Sequence, residues 1–181
     1  MSLSNPIPTV YVRPATVDDV AAIAVCHTRS IRNAYKDFLN PSDLAIFTES
    51  ETAIRIAAQI ASADTVLVAL IENQVVGHAR WGELEADYWP YQNLVHALFI
   101  DPNHQHHRAG SALLSECALA AESTGHAGMM IGAFLANKPA LEWYTRLGGR
   151  LIEEAPLQVG GNFYQSAFIA FDDLPSLRAR L

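Results

Sequence analysis

The chain has 181 residues, of which half are hydrophobic and 17% are charged, and its formal net charge is −7. This composition excludes intrinsic disorder, and an acidic chain without a basic run is a poor candidate for binding nucleic acid or an anionic membrane. No apolar run reaches the roughly 18 residues of a spanning helix, and residues 1–8 lack a secretory signal pattern. The two cysteines, Cys26 and Cys117, form no CxxC motif. We therefore expect a cytoplasmic protein with reduced thiols.

Hydrophobic periodicity and turn residues predict the element order β-α-α-β-β-β-α-β-α-β-β. The predicted strands are 10–13, 65–71, 75–81, 94–100, 127–134, 151–159 and 163–171. The predicted helices are one that follows Thr16 and runs to about residue 34, and those at 51–60, 110–122 and 139–147. Residues 83–93 are expected to form a loop. No repeat or linker interrupts this order, which is typical of one mixed α/β domain.

The segment from Leu98 to Leu114 carries the most information about function. It is a predicted strand, a short polar loop and then a helix, whose first N–H groups have no partner within the helix. These groups carry partial positive charge, so a loop of this kind can bind a pyrophosphate through its backbone. Gly110 would let that backbone approach a ligand closely.

This loop resembles motif A of the GNAT acetyltransferase superfamily, in which Gln/Arg-x-x-Gly-x-Gly/Ala precedes a helix. Gln105 and Gly110 match the motif, whereas Arg108 stands where the family usually has its middle glycine. We expect an ordinary helical or extended backbone at Arg108, with a guanidinium that can reach a phosphate. The resemblance implies that seven consecutive residues of this segment contact the cofactor, namely Gln105, His106, His107, Arg108, Ala109, Gly110 and Ser111.

A second stretch, from Asn137 to Gly149, resembles the family's Asn-x-x-Ala-x-x-x-Tyr-x-x-x-Gly motif and is intact. The resemblance covers residues 10–174, with an N-terminal tail at 1–9 and a C-terminal tail at 175–181. It implies the GNAT fold, a mixed α/β (α+β) architecture with a twisted sheet of about seven strands and helices on both faces.

The same resemblance implies an N-acetyltransferase that moves the acetyl group of acetyl-CoA to the primary amine of a small molecule by direct attack. The alternatives are a non-catalytic acyl-CoA-binding module of the same fold, or an enzyme that acetylates a protein or peptide. In the family the thioester lies between two diverging parallel strands. Leu98 and Ile100 would bind the pantetheine arm, an N–H near Phe99 would polarise the thioester carbonyl, and Asn137 would contact the CoA arm or steady the strands.

Proton transfer needs an acid and a base. Tyr144 matches the tyrosine of the second motif and is the candidate acid, although it could instead be a packed residue at the rim of the sheet. His96 is the candidate base, because imidazole can accept a proton near neutral pH, and a hydrogen-bonded strand histidine is an equal alternative. Glu83, Glu85 and Asp87 are rival bases or could attract a cationic amine, and a base acting through water is also open.

Two further groups of residues have a structural and a functional interpretation. Tyr35 and Tyr88 lie in aromatic segments that would form the lips of an apolar acceptor pocket or pack in the ordinary way. His104, His106 and His107 resemble metal ligands, but the phosphate loop accounts for them better, so we expect no metal. The sequence does not identify the acceptor, and it leaves a homodimer open.

Overall fold

The computed structural model describes residues 8–62, 64–84 and 90–181. Seven strands form one sheet, and helices cover both of its faces, which confirms the predicted architecture. The strands are β1 (Tyr11–Pro14), β2 (Thr65–Ile71), β3 (Gln74–Glu83), β4 (Asn93–Ile100), β5 (Met129–Phe134), β6 (Arg150–Val159) and β7 (Asn162–Phe171). The helices are α1 (Val20–Tyr35), α2 (Pro41–Leu44), α3 (Glu49–Ile60), α4 (Ala109–Ser123), α5 (Lys138–Arg146) and α6 (Leu174–Arg180).

Two of these helices were not predicted, and both begin with a proline in their first turn. Helix α2 has four residues, which is too short for a periodic pattern to be recognised. Helix α6 falls in the segment expected to be a C-terminal tail. The Asp173 carboxylate accepts a hydrogen bond from the Ser176 N–H at 2.9 Å, and Leu177 is buried, so this end of the chain packs against the domain.

The strand order is β1-β2-β3-β4-β5-β7-β6. Within the described sheet, β4 and β5 are the one parallel pair, and they are joined only through Leu94 with Met130 and Val95 with Ile131. Beyond these pairs β4 stays paired with β3, and β5 stays paired with β7. The sheet therefore opens into a gap between β4 and β5.

The two faces of the sheet are covered differently. Helices α4, α5 and α6 share a large apolar cluster with one face, in which Leu113, Cys117 and Met129 have no exposed surface. Helices α1 and α3 cover the other face and share a cluster of four buried residues, Ile23, Ile56, Val68 and Leu70. Among the described residues, no helix has both the length and the apolar character needed to cross a membrane.

Candidate active site

The gap between β4 and β5 is closed at its base by Asn93, which is fully buried. Its side-chain oxygen accepts a hydrogen bond from the Trp81 indole at 3.1 Å, and its amide donates to the Gly128 carbonyl at 2.9 Å. Above Asn93 the β3–β4 register shifts, because Ala97 pairs with Arg80 but Val95 pairs with Trp81. His96 is the extra residue of this bulge. A bulge bends its strand, which here accompanies the separation of β4 from β5.

The gap exposes backbone groups of β4. The Asp101 N–H donates to the Val76 carbonyl of β3 at 2.8 Å, so strand alternation also directs the N–H of Phe99 toward β3. The backbone groups of Leu98 and Ile100 face the gap, and the Ile100 carbonyl accepts a hydrogen bond from the Ser30 hydroxyl at 2.8 Å. Phe99 thus contributes its ring to the pocket, and the N–H groups near it that face the gap belong to Leu98 and Ile100.

The loop before α4 differs from the expectation at Arg108. This residue has φ 66° and ψ 7°, the left-handed conformation that glycine adopts most easily, so the expected ordinary backbone is wrong. His106 also has a positive φ. Left-handed residues beside helical ones turn successive N–H groups toward one concavity, which suits an anion. The arginine therefore retains the backbone shape of the glycine that it replaces.

The side chains of this loop differ in their exposure and in their contacts. The Arg108 guanidinium donates to the carbonyl of Leu181 at 3.1 Å, and Gln105 and His106 are exposed. Ala109 is buried and Ser111 is half-buried. A Cβ built on Gly110 would lie 3.5 Å from the Trp143 ring, an ordinary contact, so packing within the fold does not require glycine at this position.

The loop histidines lie outside any recognisable metal site. His104 Nδ1 is 3.5 Å from the Asp101 carboxylate, and the rings of His104 and His107 are 6.4 Å apart. In the described ranges, no three His, Cys, Asp or Glu side chains are grouped so that they could hold a metal ion.

Tyr144 lies on α5 and is buried, with its ring against Trp143 and Phe171. Burial raises the pKa of Tyr144, and the nearby Tyr35 raises it further, so the phenol keeps its proton at neutral pH. Its hydroxyl forms no hydrogen bond with any residue that the structure describes. Asn137 begins the same helix, and its side chain makes no capping hydrogen bond.

A pocket of about 430 Å³ lies on the α1/α3 face and reaches the gap. The predicted residues Tyr35, His96 and Phe99 line it. Burial raises the pKa of Tyr35 to about 12, and its ring contacts Phe99 and Phe134. The pocket is bounded by apolar residues from β5 and β6, among them Ala133, Phe134 and Leu157.

His96 is a neutral group in this environment. Burial lowers its pKa to about 4, and the positive charge of Arg80 lowers it further, while Asp64 opposes both effects. Arg80 and Asp64 form an ion pair at 2.6 Å. At pH 7 the imidazole therefore has a free lone pair, and it is a weak base.

Sequence reasoning missed three ionisable residues that line the pocket. Arg55 Nη2 lies 3.1 Å from His27 Nε2, and His27 Nδ1 lies 3.2 Å from His78 Nε2. Burial lowers the pKa of His27 to about 2 and that of His78 to about 3. Two features of the sequence could have indicated these residues: His27 lies on the apolar face of a predicted helix, and His78 lies inside an apolar predicted strand.

Of the acidic candidates from the sequence, Glu83 alone belongs to the described residues, and it does not reach the described pocket. The Glu83 carboxylate is exposed and lies 3.6 Å from His126 Nε2, and Glu83 does not line the pocket, so the predicted role at the acceptor does not fit its position. Glu85, Asp87 and Tyr88 lie outside the described residues.

A further residue that sequence reasoning missed, Asp43, fixes one side of the pocket. Its carboxylate accepts hydrogen bonds from the Gly161 N–H, the Asn162 amide and the Tyr164 hydroxyl at 3.1, 2.8 and 2.6 Å. Asp43 therefore holds α2 against the turn between β6 and β7, strands that contribute lining residues to the pocket.

Comparisons with known proteins agree with this geometry. An acetyltransferase (GNAT) domain family matches residues 62–148, which contain both motifs up to Gly148. The uncharacterized N-acetyltransferase YuaI of Bacillus subtilis (strain 168) is 23% identical over 177 residues, covering 95% of this chain and 98% of YuaI.

Two solved structures share the fold. A GCN5-related N-acetyltransferase from Rhodopseudomonas palustris has a TM-score of 0.72 at 18% identity and covers 94% of this chain and 97% of its own. A putative acetyltransferase from Salmonella typhimurium, YncA, was solved with its cofactor acetyl-CoA and has a TM-score of 0.65 at 19% identity, covering 92% of this chain and 94% of its own. The two sequence motifs, the gap between β4 and β5 and these relatives agree: residues 62–148 match the acetyltransferase (GNAT) domain family, and the chain has the fold of GNAT N-acetyltransferases.

Proposed function

We propose that the protein transfers the acetyl group of acetyl-CoA to the primary amine of a small molecule. The observation that carries this proposal is the gap between β4 and β5, which joins the loop before α4 to the pocket on the other face of the sheet. A thioester held in the gap would meet an amine that enters from the pocket. The pocket volume of about 430 Å³ suits a small molecule better than a folded protein.

The residues that would hold acetyl-CoA follow from the free backbone groups. The left-handed turn at Arg108 directs N–H groups toward a pyrophosphate, and Gly110 leaves room for it. Leu98 and the Ile100 N–H offer hydrogen bonds to the amide groups of the pantetheine arm. Asn137, whose side chain is not used for capping, is available to the same arm.

In the reaction the neutral amine attacks the thioester carbonyl carbon, the C–N bond forms, and the C–S bond breaks. The attacking nitrogen loses one proton, and the leaving sulfur gains one. His96 lines the pocket as a neutral imidazole and takes the proton as the nitrogen becomes acidic during C–N bond formation. Tyr144 stays protonated at neutral pH and supplies the proton to sulfur.

Isothermal titration of acetyl-CoA into the wild-type protein, followed by an amine panel read out by thiol release, tests the proposal. We expect a Kd in the micromolar range, about −8 kcal/mol, and its loss in Gly110→Trp, whose bulk would fill the space before the helix. A wild-type protein that does not bind acetyl-CoA, or a Gly110→Trp variant that binds it normally, would contradict the assignment of this loop.

A further inference from the structure

Arg55 is a cation in the wall of the pocket. It lies on α3, and among the residues that the structure describes no carboxylate forms an ion pair with it. Burial and the positive charge of Arg80 lower the pKa of Arg55, whereas Glu51 raises it only through a longer-range interaction. Placing a charge at a half-buried position costs free energy that an opposite charge would recover.

The orientation of this guanidinium is fixed by the two buried histidines. Arginine can only donate, so His27 Nε2 is the acceptor and the His27 proton is on Nδ1. His27 donates that proton to His78 Nε2 at 3.2 Å, so the proton of His78 is on its Nδ1. This Nδ1 is buried and has no hydrogen-bond partner among the described residues. One hydrogen bond to His27 leaves four of the five N–H donors of Arg55 available to a ligand.

The other charges of the described pocket are already neutralised. Arg80 is paired with Asp64, and burial keeps His27, His78 and His96 uncharged at pH 7. The described lining includes no Asp or Glu. Five phenylalanine and tyrosine rings supply much of the remaining wall: Tyr35, Phe47, Phe99, Phe134 and Phe168. The described pocket thus combines one uncompensated positive charge with an aromatic surface.

We infer that the acceptor is an amine that also carries a carboxylate, in the manner of an amino acid with an apolar or aromatic side chain, and that Arg55 binds this carboxylate. The inference rests on the proposed function and specifies its substrate class. A guanidinium matches the planar carboxylate with two parallel hydrogen bonds, and its orientation by His27 reduces the entropy lost on binding. The His27 ring lies between Arg55 and Phe99, and the centroids of the His27 and Phe99 rings are 4.6 Å apart in an edge-to-face arrangement. A carboxylate bound to Arg55 would therefore lie on the far side of the pocket from the thioester.

The inference is tested on the wild-type enzyme with matched pairs of acceptors. Each pair consists of an α-, β- or γ-amino acid with an apolar or aromatic group and the corresponding amide, which retains the amine and loses only the negative charge. We expect at least one acid to have a kcat/KM about tenfold to 100-fold above that of its amide, the range for a charged hydrogen-bonded pair. The amine of an amide is the less basic and is more often neutral, so simple reactivity would favour the amide.

Two variants localise the effect. Arg55→Gln should reduce the kcat/KM of the acid to about the level of the amide and leave the amide unchanged. Lys36→Gln removes an exposed cation of the same charge that does not line the pocket, and it should change neither member of a pair by more than about twofold. The wild-type comparison needs no variant, so it decides the question even if Arg55→Gln does not fold.

The outcomes separate this inference from the proposed function. Amides that are acetylated as well as or better than their acids in every pair would overturn the carboxylate assignment and leave the acetyltransferase proposal intact. An Arg55→Gln variant that slows both members of a pair equally would also overturn it, because the effect would then not depend on the carboxylate. A protein that acetylates other primary amines and no member of either series would overturn the carboxylate assignment alone, and a protein that binds acetyl-CoA and acetylates no amine at all would overturn both.

Discussion

The α4 face and the α1/α3 face of the sheet use the same strands for different purposes. On the α4 face, 22 buried residues form one cluster with helices α4, α5 and α6, whereas the cluster under α1 and α3 has four. On the α1/α3 face the space is taken by the pocket and by ionisable residues, namely His27, His78, Arg55 and Arg80. Burial of polar groups costs free energy, and burial of apolar surface is the main source of stability.

The comparison indicates that the sheet separates the main apolar core from the pocket that we propose for the acceptor. Residues of the α4 face should affect unfolding when they are changed, and residues of the α1/α3 face should affect pH dependence and specificity. Tyr144 connects the two faces electrostatically, because it lies on α5 in the cluster of the α4 face and Tyr35 of α1 raises the pKa of its hydroxyl.

The largest expected effect concerns the packing of the α4 face. Leu113→Ala removes a side chain with no exposed surface and should lower the free energy of unfolding by about 3 kcal/mol, because a cavity remains. Leu119→Ala on the same helix is the matched control, since Leu119 is 37% exposed, and it should cost less than about 1 kcal/mol. Urea unfolding followed by circular dichroism measures both. Equal losses in the two variants would show that this face does not form the main core.

The second effect tests the residue that joins the faces. Tyr144→Phe removes the proposed proton donor and keeps the ring, so kcat should fall about 100-fold while the Kd of acetyl-CoA changes less than about twofold. Tyr11→Phe is the control, because Tyr11 is exposed on the edge strand β1. Steady-state kinetics with titration of acetyl-CoA separates the two constants. Unchanged turnover in Tyr144→Phe would remove the phenol from the mechanism.

The third and smallest effect is a pH dependence that belongs to the α1/α3 face. The folded-state pKa of His27 is lowered to about 2, so below about pH 6.5 the unfolded chain binds a proton that the folded chain does not. Stability is therefore complete near pH 7 and falls with decreasing pH, by about 2 kcal/mol for this histidine between pH 7 and pH 5. His78 and His96 have lowered pKa values and add to the same loss.

His27→Gln should remove the contribution of His27 and leave those of the other two histidines. Urea unfolding of the wild type and the variant at pH 7, 6 and 5 measures the difference in slope. Parallel loss of stability in both proteins would mean that His27 becomes protonated in the folded state, and the neutral Arg55–His27–His78 chain would then be wrong.

The sequence determined the order of elements, the seven-strand sheet and the position of both motifs, because hydrophobic periodicity and glycine turns are local signals. It also proposed Tyr144 and His96 as the candidate acid and base, because their positions within a motif or strand could be counted. At Arg108 the same local reasoning failed. A left-handed backbone at a non-glycine residue costs about 1 kcal/mol, and the contacts that compensate for it, such as the one with Leu181, come from 73 residues away.

Only the tertiary structure determined which ionisable side chains line the pocket that we propose for the acceptor. Arg55 and His27 are 28 positions apart, and His27 and His78 are 51 apart, so no sequence window contains the chain that they form. Glu83 lies close to β4 in sequence, but the antiparallel pairing of β3 with β4 places it opposite Asn93, at the closed end of the gap. The lining of the proposed acceptor pocket consists of side chains that meet across helices and strands, so it is set by their packing and not by any local pattern.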